Sequence, residues 1–270
     1  MNSSSSHIIT HDGKRPILLD HYFARKPFSN PVVVFCHGYK GFKDWGAWEL
    51  VAHEFVKAGF DFVKFNFSHN GGTMDNPIDF PDLEAFSLNN YSIELDDLDR
   101  VLTFLDQPKV ILIGHSRGGG IVLIKAEEDP RISKVISWAG VSDFRARFQV
   151  GSPEFESWKQ EGIKYIENSR TKQRMPHLWQ FFEDFQENEE RFTIQRAVRN
   201  LSIPQLIIHG DSDPTVSIAE AHQLHLWNPK SRLKEVPGAD HVFEARHPWN
   251  DHQLPAHLAQ VVVLTIDFCR

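Results

Sequence analysis

Ser116 is the residue whose type and position most clearly indicate chemistry. It is the central residue of Gly-His-Ser-Arg-Gly, residues 114 to 118, between a strand-like apolar run and a helix-like segment. A serine nucleophile needs such a strand-turn-helix, because the sharp turn exposes its hydroxyl. The pentapeptide alone would occur by chance in about one chain in ten of this length. The prediction of a nucleophile therefore rests on the flanking segments as much as on the motif.

A serine hydroxyl reacts only when a base takes its proton, so the hypothesis requires a histidine and an acid farther along the chain. His241 follows the segment VPGAD after the last apolar run. Asp213 follows the preceding run, in a loop before a helix predicted to begin near Ser217. We predict that Ser116, His241 and Asp213 act as nucleophile, base and orienting acid.

Other histidines could supply the base, because the chain has 15 of them. His247 and His69 are the alternatives to His241. His115 is next to the nucleophile but is expected to point into the core. His37 and His209 end apolar runs, where a hydrogen-bonded structural role is expected.

The acid also has alternatives. Asp143, in the segment VSDF after the fourth apolar run, could reach the same imidazole from a neighbouring strand end. Asp211 and Asp240 are close to the predicted acid and base in sequence, and surface solvation explains both.

The segment HGYKG, residues 37 to 41, follows the first apolar run and indicates one side of an oxyanion hole. Such a site needs two N–H donors from different segments. The backbone amides of Tyr39 and of Arg117, the residue after the nucleophile, are the predicted donors.

Strand-length apolar runs without polar alternation predict strands that are buried on both faces. Amphipathic segments separate several of them, and the alternation of strand and helix favours a parallel sheet with helices on both sides. A hairpin is predicted at HDGK near the start, and a helix is predicted to close the chain. The six runs are residues 31 to 38, 60 to 67, 109 to 116, 134 to 140, 203 to 210 and 231 to 238.

The sheet pattern is interrupted between residues 144 and 199, where the sequence has helical periodicity. We predict a helical cap at 144–199, inserted into a core formed by residues 1–143 and 200–270. Its aromatic side chains suggest an apolar or aromatic acyl pocket, although most of them are expected to pack the cap onto the sheet. They are Phe155, Trp158, Tyr165, Trp179, Phe181 and Phe182.

The composition excludes several classes of protein. A net charge of −7 gives no basic field, so nucleic acid is not expected as a partner. His222 and His225 are spaced like metal ligands but lack a third ligand in a recognisable motif, so no metal is expected. The two cysteines, Cys36 and Cys269, fit a reducing compartment. No signal peptide or membrane span is recognisable, so we expect a cytoplasmic protein.

Four segments, HGYKG, GHSRGG, HGDSDPTV and GADHVF, resemble the α/β-hydrolase superfamily in this order. The sequence is most similar to its dienelactone-hydrolase-like and feruloyl-esterase-like branch, but the nucleophile position carries serine where true dienelactone hydrolases have cysteine. The resemblance implies the α/β-hydrolase fold, with an eight-stranded, mostly parallel sheet, and it also implies Ser116, Asp213 and His241 as the triad.

The expected activity is hydrolysis of a carboxylic ester through an acyl-enzyme, with a small-molecule ester as partner and no cofactor. Thioesterase and peptidase activities would use the same triad, and a non-catalytic binding protein on the same scaffold is a further alternative. Arg170 and Arg174, at helical spacing, could anchor a substrate carboxylate. The sequence does not indicate the oligomeric state.

Overall fold

The computed structural model describes residues 3–24 and 30–270. Its main element is an eight-stranded sheet in the order β1-β2-β4-β3-β5-β6-β9-β10. The six apolar runs all become strands, as predicted. The strands of this sheet are β1 (Ser3–His11), β2 (Lys14–Phe23), β3 (Val32–Cys36), β4 (Phe62–Phe65), β5 (Val110–His115), β6 (Ile132–Trp138), β9 (Gln205–Gly210) and β10 (Arg232–Val236).

The sheet is mostly parallel, as predicted. All pairs from β4 through β10 are parallel, whereas β2 is antiparallel to both β1 and β4. The β1–β2 hairpin turns at Asp12 and Gly13, which confirms the predicted hairpin. Because the carboxyl ends of parallel strands meet at one edge, the loops after β3, β5, β9 and β10 can converge there.

Helices cover both faces of the sheet. Residues Val32 and Val34 of β3 belong to the apolar core on one face of the sheet, whereas Val33 and Phe35 belong to the core on the other face. This alternation explains why β3 is apolar at every position. The helices outside the insert are α1 (Trp48–Lys57), α2 (Leu83–Ser87), α3 (Tyr91–Leu105), α4 (Arg117–Glu128), α9 (Ile218–Trp227) and α10 (Ala256–Cys269).

None of the helices in residues 3–24 and 30–270 combines the length and the apolar character that crossing a membrane would require.

The insert between β6 and β9 is only partly helical. It begins with a 3-10 helix (Arg145–Phe148) and then contains α5 (Pro153–Glu161), strands β7 (Ile163–Glu167) and β8 (Arg174–Leu178), α6 (Gln180–Glu187), α7 (Glu189–Phe192) and α8 (Ile194–Asn200). Strands β7 and β8 form a separate antiparallel hairpin. The predicted helical cap did not include this hairpin, because the half-exposed IKYIE strand lacks the continuous apolar run that marked the sheet strands.

Candidate active site

Ser116 lies at a strained turn between β5 and α4. Its φ of 57° places a non-glycine residue in the left-handed region, a conformation that persists only where the surroundings enforce it. The two flanking positions have no room for a Cβ atom, so both must be glycine. A Cβ at Gly114 would lie 2.2 Å from the carbonyl oxygen of Gly118, and a Cβ at Gly118 would lie 2.5 Å from that of Cys36. The turn therefore has the geometry that the sequence predicted.

The structure brings the three predicted triad residues together. His241 Nε2 lies 3.0 Å from Ser116 Oγ, and His241 Nδ1 lies 2.7 Å from Asp213 Oδ2. Ser116 follows β5, Asp213 follows β9, and His241 follows β10. The three side chains therefore meet at the carboxyl edge of the sheet, in an arrangement that can transfer a proton from the serine hydroxyl to the imidazole.

The side chain of Asp213 is fully buried and is held by several donors. The backbone amides of Thr215 and Val216 donate to its Oδ1 at 2.7 and 2.9 Å. His209 Nε2 lies 3.3 Å from Oδ2, beside its 2.8 Å hydrogen bond to the Val216 carbonyl oxygen. Burial alone would raise the pKa of Asp213, but the hydrogen bonds from His209, His241 and Val216 hold that pKa well below its usual range. The carboxylate stays ionised beside His241.

The alternative histidines are hydrogen-bonded elsewhere. His247 Nδ1 accepts a hydrogen bond from the Gly46 amide, and His69 Nδ1 is paired with the Ser68 hydroxyl. His115 is buried, as predicted, and its Nε2 lies 2.8 Å from the carbonyl oxygen of His241. Burial, with the nearby His241, lowers the pKa of His115 to about 3, so His115 is neutral and donates this hydrogen bond.

The alternative acids serve as local caps. Asp143 accepts hydrogen bonds from the amides of Arg145 and Ala146. Asp211 accepts from the Gly238 amide, and Asp240 accepts from the Val242 and Glu244 amides. Such bonds are typical of aspartates in turns.

The loop after β3 lies directly against the serine. A Cβ at Gly38 would be 2.8 Å from the Cβ of Ser116, so the two segments touch. Within the described ranges, neither the Tyr39 amide nor the Arg117 amide has a hydrogen-bond acceptor. Arg117 is the first residue of α4, where an amide N–H has no partner inside the helix. Both amides are thus available as donors, and their role stays a prediction.

A cavity of about 240 Å³ opens beside Ser116. Its aromatic lining comes from the core and from the insert together. Tyr91 stacks on Phe144, with ring centroids 4.0 Å apart, and meets Phe181 edge-on at 4.9 Å. The aromatic residues that line the cavity are Tyr39, Tyr91, Phe144, Phe148 and Phe181.

Arg117 fixes the cavity wall through its side chain. Its Nη1 donates to Glu94 Oε1 at 3.1 Å, and its guanidinium lies 4.5 Å from the centre of the Tyr39 ring. Burial would lower the pKa of Arg117, but Glu94 raises it above the usual value. No sequence pattern predicts this pair, because Glu94 lies on α3, 23 positions away.

Tyr39 also contacts the insert, and this contact was not predicted from the sequence. Its hydroxyl lies 2.7 Å from Nε2 of His177, a buried residue of β8. Burial, together with the Arg117 charge, lowers the pKa of His177 to about 3. Burial also raises the pKa of Tyr39 to about 12, so both partners are neutral.

The insert residues singled out in the sequence divide into packing and surface positions. Phe155, Trp158 and Phe182 are buried in the core cluster, as expected for packing residues, while Tyr165 is 49% exposed. Trp179 packs partly buried against the same cluster, and Phe181 alone of the six lines the cavity.

Arg170 and Arg174 lie in the β7–β8 hairpin and not on a helix, so the helical arrangement inferred from their spacing was wrong. Arg170 lies in the turn between β7 and β8 and forms an ion pair with Asp79. Arg174 begins β8 and lies over the Tyr165 ring, 4.4 Å from its centre. Neither side chain lines the cavity beside Ser116.

Outside residues 1–2 and 25–29, which the structure does not describe, no group of three or more His, Cys, Asp or Glu side chains is arranged to hold a metal ion. His222 is paired with Glu235 at 2.9 Å, and His225 with the Ser231 hydroxyl at 2.8 Å.

Comparison with known proteins identifies the fold. A family model described as alpha/beta hydrolase fold matches residues 31–162, from β3 into the insert. Together with the sheet order and the turn at Ser116, this match shows that the chain has the α/β-hydrolase fold.

The individual proteins that resemble this chain share little sequence with it. The human serine hydrolase BPHL is 27% identical over 158 residues, which cover 56% of this chain and 53% of the relative. The chain thus spans about half the length of that curated relative. Two solved structures show the same fold over nearly the whole chain.

Est1E from Butyrivibrio proteoclasticus, also solved with ferulic acid bound, has a TM-score of 0.74 at 16% identity and covers 97% of this chain and 96% of its own. Dienelactone hydrolase from Anabaena variabilis has a TM-score of 0.65 at 18% identity and covers 98% and 96%.

Proposed function

We propose that the protein is a serine hydrolase that cleaves carboxylic esters through an acyl-enzyme. The observation that carries this proposal is the continuous hydrogen-bonded chain from Ser116 Oγ through His241 to Asp213, at 3.0 and 2.7 Å. Such a chain activates a serine that is otherwise inert.

In the first half of the reaction, His241 Nε2 takes the proton of the Ser116 hydroxyl as Oγ attacks the ester carbonyl carbon. The amides of Tyr39 and Arg117 then donate to the oxygen that becomes negative. As the carbonyl re-forms, the C–O bond to the alcohol breaks, and His241 gives its proton to the leaving oxygen. Asp213 fixes the imidazole tautomer and stabilises the imidazolium.

In the second half, a water molecule repeats the sequence. His241 takes a proton from the water as its oxygen attacks the acyl carbon, and the Ser116 Oγ leaves with that proton. The acid product is released, and Ser116 and His241 return to their starting states.

The cavity favours a small or aromatic acyl group. Its volume of about 240 Å³ lies below the usual range of sites for drug-sized molecules. The aromatic walls of Tyr91 and Phe181 can pack against a flat or short apolar group. Since part of this wall comes from residues 144–199, we propose that the insert acts as a cap that selects the substrate.

Intact-protein mass after brief exposure to a fluorophosphonate tests the proposal, because the reagent bonds only to an activated serine. We expect one adduct on the wild type and none on Ser116→Ala, and a drop of several orders of magnitude in ester turnover for the variant. Near-normal ester hydrolysis by Ser116→Ala would refute the assignment.

A further inference from the structure

The charged side chains that line the cavity beside Ser116 are all cations: Arg117, Arg147 and Lys164. Two of them are neutralised by carboxylates. Arg117 is paired with Glu94 at 3.1 Å, and Arg147 forms an ion pair with Glu220. Among the described residues, Lys164 forms no ion pair, so the cavity has an excess of positive charge at that position.

Lys164 is also half-buried. Its Nζ lies 3.7 Å from the centre of the Trp158 ring, and that indole is almost fully buried. Burial lowers the pKa of Lys164. The ring partly offsets the lost hydration of the ammonium group, but a cation in such a place is stabilised further when an anion binds beside it.

Lys40, next to Tyr39 in the loop after β3, is a second lysine near the site that lacks an ion-pair partner among the described residues. Its Nζ lies 5.1 Å from the centre of the Tyr39 ring. Burial and the Arg117 charge lower its pKa. After burial, the positive charges of Arg117, Lys164 and Lys40 each lower the pKa of His177.

Lys164 is connected to the reacting serine through a short series of contacts. In the β7–β8 hairpin it lies directly opposite His177. His177 Nε2 is 2.7 Å from the Tyr39 hydroxyl, and the Tyr39 loop lies against Ser116. The hairpin therefore places Lys164 in the wall of the same cavity that contains Ser116, Tyr39 and His177.

We propose that the preferred substrate is an ester that carries a negatively charged group, such as a carboxylate, and that Lys164 binds this group while the ester carbonyl lies at Ser116. This inference rests on the proposed ester hydrolysis and adds its substrate class. It also gives the insert a specific task, since Lys164 lies on β7 of the insert.

Paired substrates test the proposal. For charge on the acyl side, mono(4-nitrophenyl) glutarate is compared with 4-nitrophenyl pentanoate, and for charge on the alcohol side, 4-acetoxybenzoate is compared with its methyl ester. The quantity measured is the ratio of kcat/KM for the charged and neutral members of each pair. Comparing this ratio between the wild type and variants cancels the intrinsic reactivity of the esters.

In Lys164→Met the ratio should fall about tenfold for one of the two substrate pairs. The pair that responds shows whether the charge is on the acyl side or on the alcohol side of the ester. Lys164→Arg should retain most of the preference. The matched control is Lys159→Met, an exposed lysine of α5 outside the cavity, which should leave the ratio unchanged. In the wild type, raising the salt concentration from about 0.05 M to about 0.5 M should lower the ratio, because screening weakens the contact.

The outcomes separate this inference from the function on which it rests. Fluorophosphonate labelling of Ser116 and cleavage of neutral esters, with ratios in Lys164→Met within twofold of the wild type for both pairs, would overturn the anionic substrate alone. A wild-type ratio that does not respond to salt would overturn it as well, even if Lys164→Met failed to fold. Absence of both labelling and ester cleavage would overturn the ester hydrolase proposal and this inference with it.

Discussion

Ser116, Asp213 and His241 lie on loops that leave strands of the main sheet, whereas Lys164 and His177 lie on a hairpin outside that sheet. Strand β5, which leads into Ser116, is buried at every position, while β7, which carries Lys164, is half-exposed along its length. The two ends of the cavity are therefore held in different ways. The triad end is fixed by a parallel sheet, and the insert end is held by side-chain packing against the core.

The difference suggests a division of tasks. Chemistry requires atoms at hydrogen-bonding distance in a fixed geometry, which a buried sheet edge provides. Substrate selection tolerates change, and a small hairpin can vary without disturbing the triad. We therefore expect substitutions at the triad end to change turnover, and substitutions at the insert end to change stability and substrate preference.

The largest effect is expected at the triad end, for Asp213→Asn. The amide would accept hydrogen bonds from the Thr215 and Val216 amides but would favour the wrong tautomer of His241. We expect kcat for an activated ester to fall about 10³- to 10⁴-fold. Steady-state kinetics with a 4-nitrophenyl ester measure the loss.

Asp143→Asn is the matched control, because this aspartate only caps the 3-10 helix at the start of the insert. It should change kcat less than about threefold. If kcat fell as much in Asp143→Asn as in Asp213→Asn, Asp143 would have to be considered as the acid of the triad. The contrast between the two ends of the cavity would then be lost.

An intermediate effect is expected at the insert end. It concerns how the free energy of unfolding changes with pH. Burial lowers the folded-state pKa of His177 to about 3, whereas an unfolded histidine has a pKa of about 6.5. Between these values the unfolded state binds more protons, so the contribution of His177 is complete above pH ~6.5 and decreases as the pH falls. At pH 5 the expected penalty is about 2 kcal/mol.

Urea unfolding at pH 7 and pH 5 measures this penalty. In His177→Gln, the decrease in the free energy of unfolding between the two pH values should be smaller by about 2 kcal/mol than in the wild type. His11→Gln, at an exposed position beside the first turn, serves as control and should leave the decrease nearly unchanged. An equal decrease in wild type and His177→Gln would mean that His177 is not held neutral by burial.

The two ends also differ in how much the sequence could predict. The six apolar runs and the Gly-x-Ser-x-Gly turn are local patterns, and the loops that hold Asp213 and His241 follow from strand order. The hairpin at β7–β8 has no such pattern, because both strands are short and β7 is half-exposed. The contact between Tyr39 and His177 joins residues 138 positions apart, and nothing in the spacing of either residue predicts it.

The smallest effect is expected for that contact, which joins the loop after β3 to the insert. A double-mutant cycle with Tyr39→Phe and His177→Phe should give a coupling of about 1 kcal/mol in the free energy of unfolding, the usual net value of a buried neutral hydrogen bond. Tyr91→Phe is the matched control for Tyr39→Phe, because within the described ranges its hydroxyl has no hydrogen-bond partner. Paired with His177→Phe, it should give no coupling. Additive losses for Tyr39→Phe and His177→Phe would show that the insert is held by its aromatic packing alone.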